Sequence, residues 1–204
     1  MASVFITGVD TGVGKTIIAA WLCLKLASWQ VKYWKPIQTG KPYDEEVVKQ
    51  LSPETEIVPS SYYLKEPLSP YDAARLAGMK LEVGKIVEQA PLHKTVIEGA
   101  GGVLVPVAPN FFMIDLIARL KAKVIVVASS RLGCLNHLNL TAEALSRRNL
   151  EVLGVIMVGE TELVETIEQF TGLAVLQVMP IITGNLCEIL SSYELPPKIL
   201  EVFA

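Results

Sequence analysis

Cysteine and histidine are scarce in this chain. Cys23, Cys134 and Cys187 are odd in number and far apart, and the two histidines are His93 and His137. That distribution offers neither a disulfide framework nor a CxxC pair, and it gives no His/Cys zinc set. A reducing compartment, the cytoplasm, is the simplest expectation. A basic surplus is missing too: 18 Lys and Arg stand against 21 Asp and Glu, for a net charge of −3. No run of five or more basic residues occurs, so neither nucleic acid nor an anionic membrane surface is an expected partner. Mean hydropathy is high, at +0.42, yet long apolar runs are lacking. The stretches at 124–128, 152–158 and 173–182 fall well short of the roughly 20 residues that a membrane helix needs. The first residues enter a strand pattern at once, without the basic flank and apolar segment of a secretory signal.

Hydrophobic residues make up 51% and charged residues 19% of the 204 positions, enough to bury a core within a single domain over 1–204. Residues 3–7 form a short apolar run ending at Gly8 and predict the first strand. Ile17, Ala20, Trp21, Leu24 and Ala27 recur at helical spacing over 15–28. A strand is expected over 31–36 and a short helix over 42–51. Residues 52–70, rich in Pro, Ser and Tyr, read as an irregular connection. Helices at about 70–77 and 83–89 lead to a strand over 95–98, a loop over 103–112 and a helix over 113–120. All-apolar strands at 124–128 and 152–157 flank a helix from about 135 to 148. A helix over 162–170, a strand over 174–178 and short C-terminal helices complete the pattern. Uninterrupted Val/Ile runs suit strands covered on both faces. The alternation therefore predicts a three-layer α/β fold with a mostly parallel central sheet between helices.

Four segments carry chemistry. The first is Gly8-Val9-Asp10-Thr11-Gly12-Val13-Gly14-Lys15-Thr16, directly after the first strand and opening a helix. Glycines let the backbone wrap phosphate oxygens, and the helix N-terminus presents free N–H groups to an anion. Lys15 would reach the terminal phosphates and Thr16 would ligate Mg²⁺. Five residues separate Gly8 from Gly14, one more than in the common pattern. The second segment is Thr95-Val96-Ile97-Glu98-Gly99-Ala100-Gly101-Gly102, with a carboxylate at the C-terminal end of a buried strand, where open α/β sheets bind ligands. Glu98 would hold Mg²⁺ directly or through water, though a helix cap is the structural alternative. The third is Tyr33-Trp34-Lys35-Pro36-Ile37-Gln38-Thr39-Gly40, whose Lys35 could neutralise an anion held opposite the first loop, or be an ordinary surface lysine. The fourth, Arg131-Leu132-Gly133-Cys134-Leu135-Asn136-His137, leads into a helix. Its turn could bind a carboxylate, but by itself Asn136 reads better as a helix cap, and Cys134 as a small buried side chain rather than a nucleophile.

In this order, and together with Pro67, Ser69 and Pro70, these segments resemble the dethiobiotin synthetases of the P-loop NTPase superfamily. The extra residue after Gly8 is also a feature of that family. The resemblance implies an ATP-dependent ligase that closes a cyclic urea on 7,8-diaminopelargonate with CO₂, in biotin biosynthesis. One amine takes up CO₂ as a carbamate, the γ-phosphoryl group passes to the carbamate oxygen, and the second amine attacks the carbonyl carbon and expels phosphate. The implied catalytic residues are Lys15, Lys35 and Thr11. Gly12, Val13, Gly14, Lys15, Thr16 and Ile17 would hold the nucleotide, with Asp44, Glu98, Gly99, Ala100, Gly101, Pro180 and Ile181. Thr11, Lys35 and Thr39 would hold the carbamate or the nearby amine. Gly133, Cys134, Leu135 and Asn136 would hold the substrate carboxylate, supplied by the partner subunit of a homodimer. Mg²⁺ would lie on Thr16, Glu98 and an acid at Asp44, with Glu45 the alternative.

The chain also departs from the family pattern. Val158-Gly159 stands where an Asn-Asp pair often reads adenine, which shifts base recognition to backbone groups near residues 179–182. Gly12 replaces a glutamate found in some members. Two rival readings are a related P-loop amidoligase and an ATPase switch of the ParA/MinD type. The first usually carries a glutaminase domain for which this chain has no room. The second needs an early lysine in its loop, where this chain has Asp10.

Overall fold

The computed structural model describes residues 2–91, 94–181 and 184–204; His93 and Ile182, named above, lie outside the described residues. Strand β1 (Ser3–Gly8) leads through the glycine-rich loop into helix α1 (Lys15–Lys25). Then come β2 (Lys32–Trp34), β3 (Ile37–Thr39), α2 (Asp44–Leu51), β4 (Glu56–Val58) and β5 (Tyr62–Leu64). Helices α3 (Pro70–Leu76) and α4 (Val83–Glu88) precede β6 (Thr95–Gly102), β7 (Pro106–Ala108), β8 (Phe111–Phe112) and α5 (Met113–Leu120). The remainder runs β9 (Lys123–Ser129), α6 (Cys134–Ser146), β10 (Val152–Val158), α7 (Val164–Thr171), β11 (Val175–Met179), α8 (Leu186–Ser192) and α9 (Pro197–Phe203).

Among the described residues the main sheet has seven strands in the order β11-β10-β9-β1-β6-β2-β4, and every pairing in it is parallel. Val4, Phe5 and Ile6 are successive residues of β1 and all are fully buried, as a central strand covered on both faces requires. Phe5 packs on one side with Trp34, Ile97, Ile114 and Ile117. Val4 and Ile6 pack on the other with α1 and with Leu190, Ile199 and Phe203 of the C-terminal helices. Helix α1 buries Ile18, Trp21 and Leu22 completely, each worth about 1.5–3 kcal/mol over exposure. It has no side-chain cap at its N-terminus, so packing, and not capping, holds its first turn against the sheet.

Several boundaries differ from the sequence expectation. Helix α1 ends at Lys25, and the apolar pattern up to residue 28 continues as a 3₁₀ turn (Ala27–Trp29) closed by Gln30 at φ +54. Of the strand expected over 31–36 only Lys32–Trp34 forms, as β2, and a further strand, β3, starts after Pro36. Proline at position 36 has no N–H to donate, and its carbonyl instead accepts from the backbone N–H of Ser61. The segment 52–70 is not wholly irregular: β4 adds an edge to the main sheet and β5 pairs with β3. Strand β6 runs on to Gly102, beyond the expected end at 98. The loop expected over 103–112 contains the antiparallel pair β7–β8. Helix α6 begins at Cys134 behind Gly133, whose φ is +92. Asn136 therefore lies inside the first turn and is exposed; the capping role expected of it is taken by Gly133, because only a left-handed backbone lets the chain enter α6 at that angle.

Candidate active site

Strands β1, β2 and β6 and the first turns of α1 and α2 deliver the charged groups of the site. Gly8 closes β1, and a Cβ there would lie 2.8 Å from the Asp10 carbonyl oxygen and 3.0 Å from Lys15 Nζ, so the loop can fold back only over glycine. Gly14 takes φ +101 at the start of α1. Lys15 is buried, and its Nζ donates to the Asp10 carbonyl at 2.8 Å. Burial lowers its pKa; the nearby Glu98 acts in the opposite direction and Lys35 reinforces the fall.

Lys35 follows β2 and is 5% exposed. Its Nζ sits 2.5 Å from Asp44 Oδ2 and 3.1 Å from Glu98 Oε1. Burial works against the Lys35 charge, but the two carboxylates outweigh it and the pKa is raised. Lys35 is thus a buried cation fixed by charge, not an ordinary surface lysine, and the buried Glu98 caps no helix. Tyr33, two residues earlier on the same strand face, is fully buried and donates from its hydroxyl to Glu98 Oε2 at 2.8 Å. Burial and the Glu98 charge push its pKa well up, so the phenol stays protonated as a donor.

The Thr16 hydroxyl lies 3.0 Å from Asp44 Oδ1 and 2.9 Å from Glu98 Oε1. A hydroxyl carries one proton, so it can satisfy only one of these oxygens at a time. Three hard oxygen donors thus converge on one point. This donor set fits Mg²⁺, which takes one or two carboxylates and keeps several waters or phosphate oxygens. Among the described residues no group of three His, Cys, Asp or Glu side chains is placed to hold a metal, which excludes an all-carboxylate cage there. Glu45 points elsewhere, accepting from the Tyr63 hydroxyl at 2.9 and 3.0 Å.

Thr11, Gly12, Gly14, Lys15, Thr16, Ile17, Lys35, Thr39, Asp44, Glu98, Ala100 and Gly101 all line one cavity of about 600 Å³. Gln38, Pro42, Pro67, Leu68, Ser69, Pro70, Val105 and Pro106 complete its wall. Gln38 is a site residue that motif reading passed over. Buried behind Thr39, it donates to the Gly40 carbonyl and accepts from the Asp44 backbone N–H at 3.2 Å, fixing the start of α2. Its only signal was a polar side chain in a strand pattern at a sheet edge. Gly101, at φ +67, brings the β6 extension against the loop: a Cβ there would stand 3.8 Å from Thr11 Oγ1 and clash with Val105 at 2.7 Å.

Other expected residues lie off this cavity wall. The Val13 side chain is buried in the core beneath the loop. Gly99 makes room for Phe5, which a Cβ would meet at 2.7 Å. Pro180 and Ile181 are exposed beyond β11; β11 is joined there to β10 by the Gly159 N–H donating to the Met179 carbonyl at 2.7 Å. Val158 reaches the glycine-rich loop, where a Cβ on Gly14 would be 3.2 Å away. Gly133, Leu135 and Asn136 form a turn outside the cavity of their own chain, with Cys134 buried beneath it and Leu132 fully exposed at its tip. The turn is tied to the loop by an ion pair between Arg131 and Asp10.

The chain matches the model of a family described as an AAA domain over residues 2–184. It is 43% identical over 191 residues to the ATP-dependent dethiobiotin synthetase BioD of Paramagnetospirillum magneticum, covering 90% of this chain and 92% of that one. The enzyme of the same name from Lawsonia intracellularis is 43% identical over 158 residues, covering 76% and 75%. Among solved structures, a ParA family ATPase from Chlorobium tepidum superposes with a TM-score of 0.61 at 14% identity, covering 99% of this chain and 93% of that one. The septum site-determining protein MinD from Pyrococcus horikoshii gives 0.62 at 12% identity, covering 98% and 93%. At such identities the structural likeness establishes the P-loop NTPase fold alone. The sequence relatives, the loop after β1, and the lysines and carboxylates gathered at its mouth place the chain in one family: it belongs to the ATP-dependent dethiobiotin synthetases.

Proposed function

We propose that this enzyme closes the ureido ring of dethiobiotin from 7,8-diaminopelargonate, CO₂ and ATP, using the cavity between the glycine-rich loop, Lys35 and β6. The observation that carries this reading is the meeting of Lys15, Lys35, Thr16, Asp44 and Glu98 in one cavity of a chain 43% identical to a dethiobiotin synthetase over most of its length. The ParA/MinD-type alternative has the fold in its favour but not the loop: Asp10 occupies the place of the early lysine and is paired with Arg131.

The charge balance supports a divalent cation. Two lysines face two carboxylates in the site, so the pocket has little net positive charge to offer a triphosphate. Thr16, Asp44 and Glu98 would hold Mg²⁺, which would supply positive charge to offset the phosphates. Backbone N–H groups of residues 12–16 would hold the phosphates at the uncapped start of α1. Lys15 would sit on the terminal phosphates. Lys35 would bind the carbamate and bring this anion in line with the γ-phosphoryl group despite their repulsion. Thr11 and Thr39, both on the cavity wall, would orient the carbamate and the nearby amine by hydrogen bonds.

The bonds balance as follows. The first amine attacks CO₂ and loses a proton as the carbamate forms. A carbamate oxygen takes the γ-phosphoryl group and ADP leaves. The second amine then forms the ring C–N bond, giving up a proton, and phosphate departs with the oxygen. The turn at residues 133–136 would take the substrate carboxylate of a neighbouring subunit, which makes the working unit a homodimer with its sites between subunits. The exposed Leu132 and Leu140 on and behind this turn support its use as a contact. The adenine base would rest against Val158 and backbone groups after β11, including Pro180 and Ile181. The few, widely spaced cysteines support work in the reducing cytoplasm.

The test is incorporation of ¹³C-bicarbonate. With MgATP and the diamine, the label should appear in the ureido carbonyl of a product with the mass of dethiobiotin; an unlabelled or absent product rejects the reading.

A further inference from the structure

We infer that Tyr33 is a positioning residue for the site: its hydroxyl clamps Oε2 of Glu98 so that Oε1 is presented to Thr16 and Lys35. The proposal rests on the reading of Thr16, Asp44 and Glu98 as the Mg²⁺ site.

Sheet geometry creates the clamp. In the β2–β6 register Tyr33 stands opposite Val96, and alternation along each strand puts Tyr33, Lys35, Val96 and Glu98 on one face. Glu98 thus lies between a phenol and an ammonium from the neighbouring strand. Its Oε2 accepts from Tyr33 at 2.8 Å, while Oε1 is 3.1 Å from Lys35 Nζ and 2.9 Å from Thr16 Oγ1. Tyr33 is fully buried and Glu98 is 1% exposed, so no bulk water stands ready to replace the phenol. Without the hydroxyl, a buried carboxylate oxygen loses its donor, at a cost of about 1–3 kcal/mol. Turning the freed oxygen toward Lys35 for a donor would withdraw the other oxygen from Thr16. Tyr33 does not reach the cavity wall, so it acts through Glu98 and not on the nucleotide or the reacting atoms.

The experiment measures the Mg²⁺ concentration that half-saturates ADP binding by calorimetry, together with ADP affinity in EDTA. Tyr33→Phe keeps the ring and removes only the hydroxyl. The half-saturating Mg²⁺ should rise about 10-fold or more, as loss of a partner behind a metal ligand does, while ADP affinity in EDTA stays unchanged. A merely structural role would leave the Mg²⁺ dependence alone. In a Glu98→Asp background, Tyr33→Phe should shift the half-saturation by less than about 2-fold, because coupled residues are not additive.

An unchanged Mg²⁺ dependence in Tyr33→Phe, or full additivity with Glu98→Asp, overturns the proposal. If Glu98→Gln itself leaves Mg²⁺ dependence unchanged, the metal reading fails and this one falls with it. A shift in Glu98→Gln but none in Tyr33→Phe removes Tyr33 alone. Should the phenylalanine variant not fold, 3-fluorotyrosine placed at position 33 keeps the shape and alters the donor. A shifted half-saturation then supports the clamp and an unshifted one rejects it.

Discussion

Lys35 lies within 3.1 Å of both Asp44 and Glu98 at 5% exposure, so its loss leaves the buried Glu98 and the partly exposed Asp44 without the cation between them. Breaking one side of such a buried group costs about 3–5 kcal/mol, within the roughly 5–15 kcal/mol that holds a domain. Lys35→Ala should therefore fold, with a lower unfolding midpoint in denaturant, and turn over about 1,000-fold more slowly, as removal of a charge-stabilising donor does. Near wild-type turnover would remove Lys35 from the chemistry. Because its pKa is raised above 10.5, the stabilisation from Lys35 is fully present below that pH and is lost only as pH rises through the higher folded value. At this scale the sequence was readable where chemistry has a spacing: Lys15, Thr16, Lys35 and Glu98 were each marked by a motif. Asp44 came only through the family. Tyr33 and Gln38 lie in the same segment as Lys35 but carried no role of their own, because an aromatic residue in a strand looks like core until its hydroxyl is seen to find a carboxylate, and a buried amide has no distinct chemistry in sequence.

The element that decides the site is the β1–loop–α1 unit. Gly14 starts α1 at φ +101 with Val158 close by, so a methyl group there meets both strain and a neighbour. Gly14→Ala should lower stability by about 1–3 kcal/mol and weaken MgATP binding at least 10-fold, read by denaturation and by nucleotide titration. An unchanged nucleotide affinity would contradict phosphate binding at this turn. Long, strongly patterned elements such as β1, α5, β9 and β10 were legible because burial on both faces, or on one helical face, leaves its mark over seven or so residues. Strands β4 and β5 have three residues each and lie in a segment of Pro, Ser and Tyr, where the pairing partner, not local propensity, makes the strand. The β7–β8 pair turns on Asn110 at φ +57, and its prolines concealed it. Gly133 was read as part of a turn, and its role as the entry to α6 followed only from its left-handed backbone.

At the scale of the whole molecule, the cavity holds the groups proposed to meet phosphate and carbamate, while the turn at 133–136 lies outside it in the same chain. If two copies share sites, Lys35→Ala and Asn136→Ala damage opposite halves of each site. Asn136→Ala alone should raise KM for the diamine more than for ATP. Mixed in equal amounts at low diamine, the two variants should recover about a quarter of wild-type activity, since half the dimers are mixed and each has one intact site. No recovery would place both residues in one chain's site, and an unchanged diamine KM in Asn136→Ala would remove Asn136 from it. The three-layer fold was legible as alternation of apolar strands with helices; the arrangement of subunits was not, because a surface turn carries no mark of its partner. The most direct test of ligase against switch is phosphate release from MgATP, with and without the diamine and bicarbonate. A ligase of this kind should release one phosphate per dethiobiotin formed and almost none when either the diamine or bicarbonate is left out. Steady ATP hydrolysis without the diamine, and no product with it, would contradict the assignment.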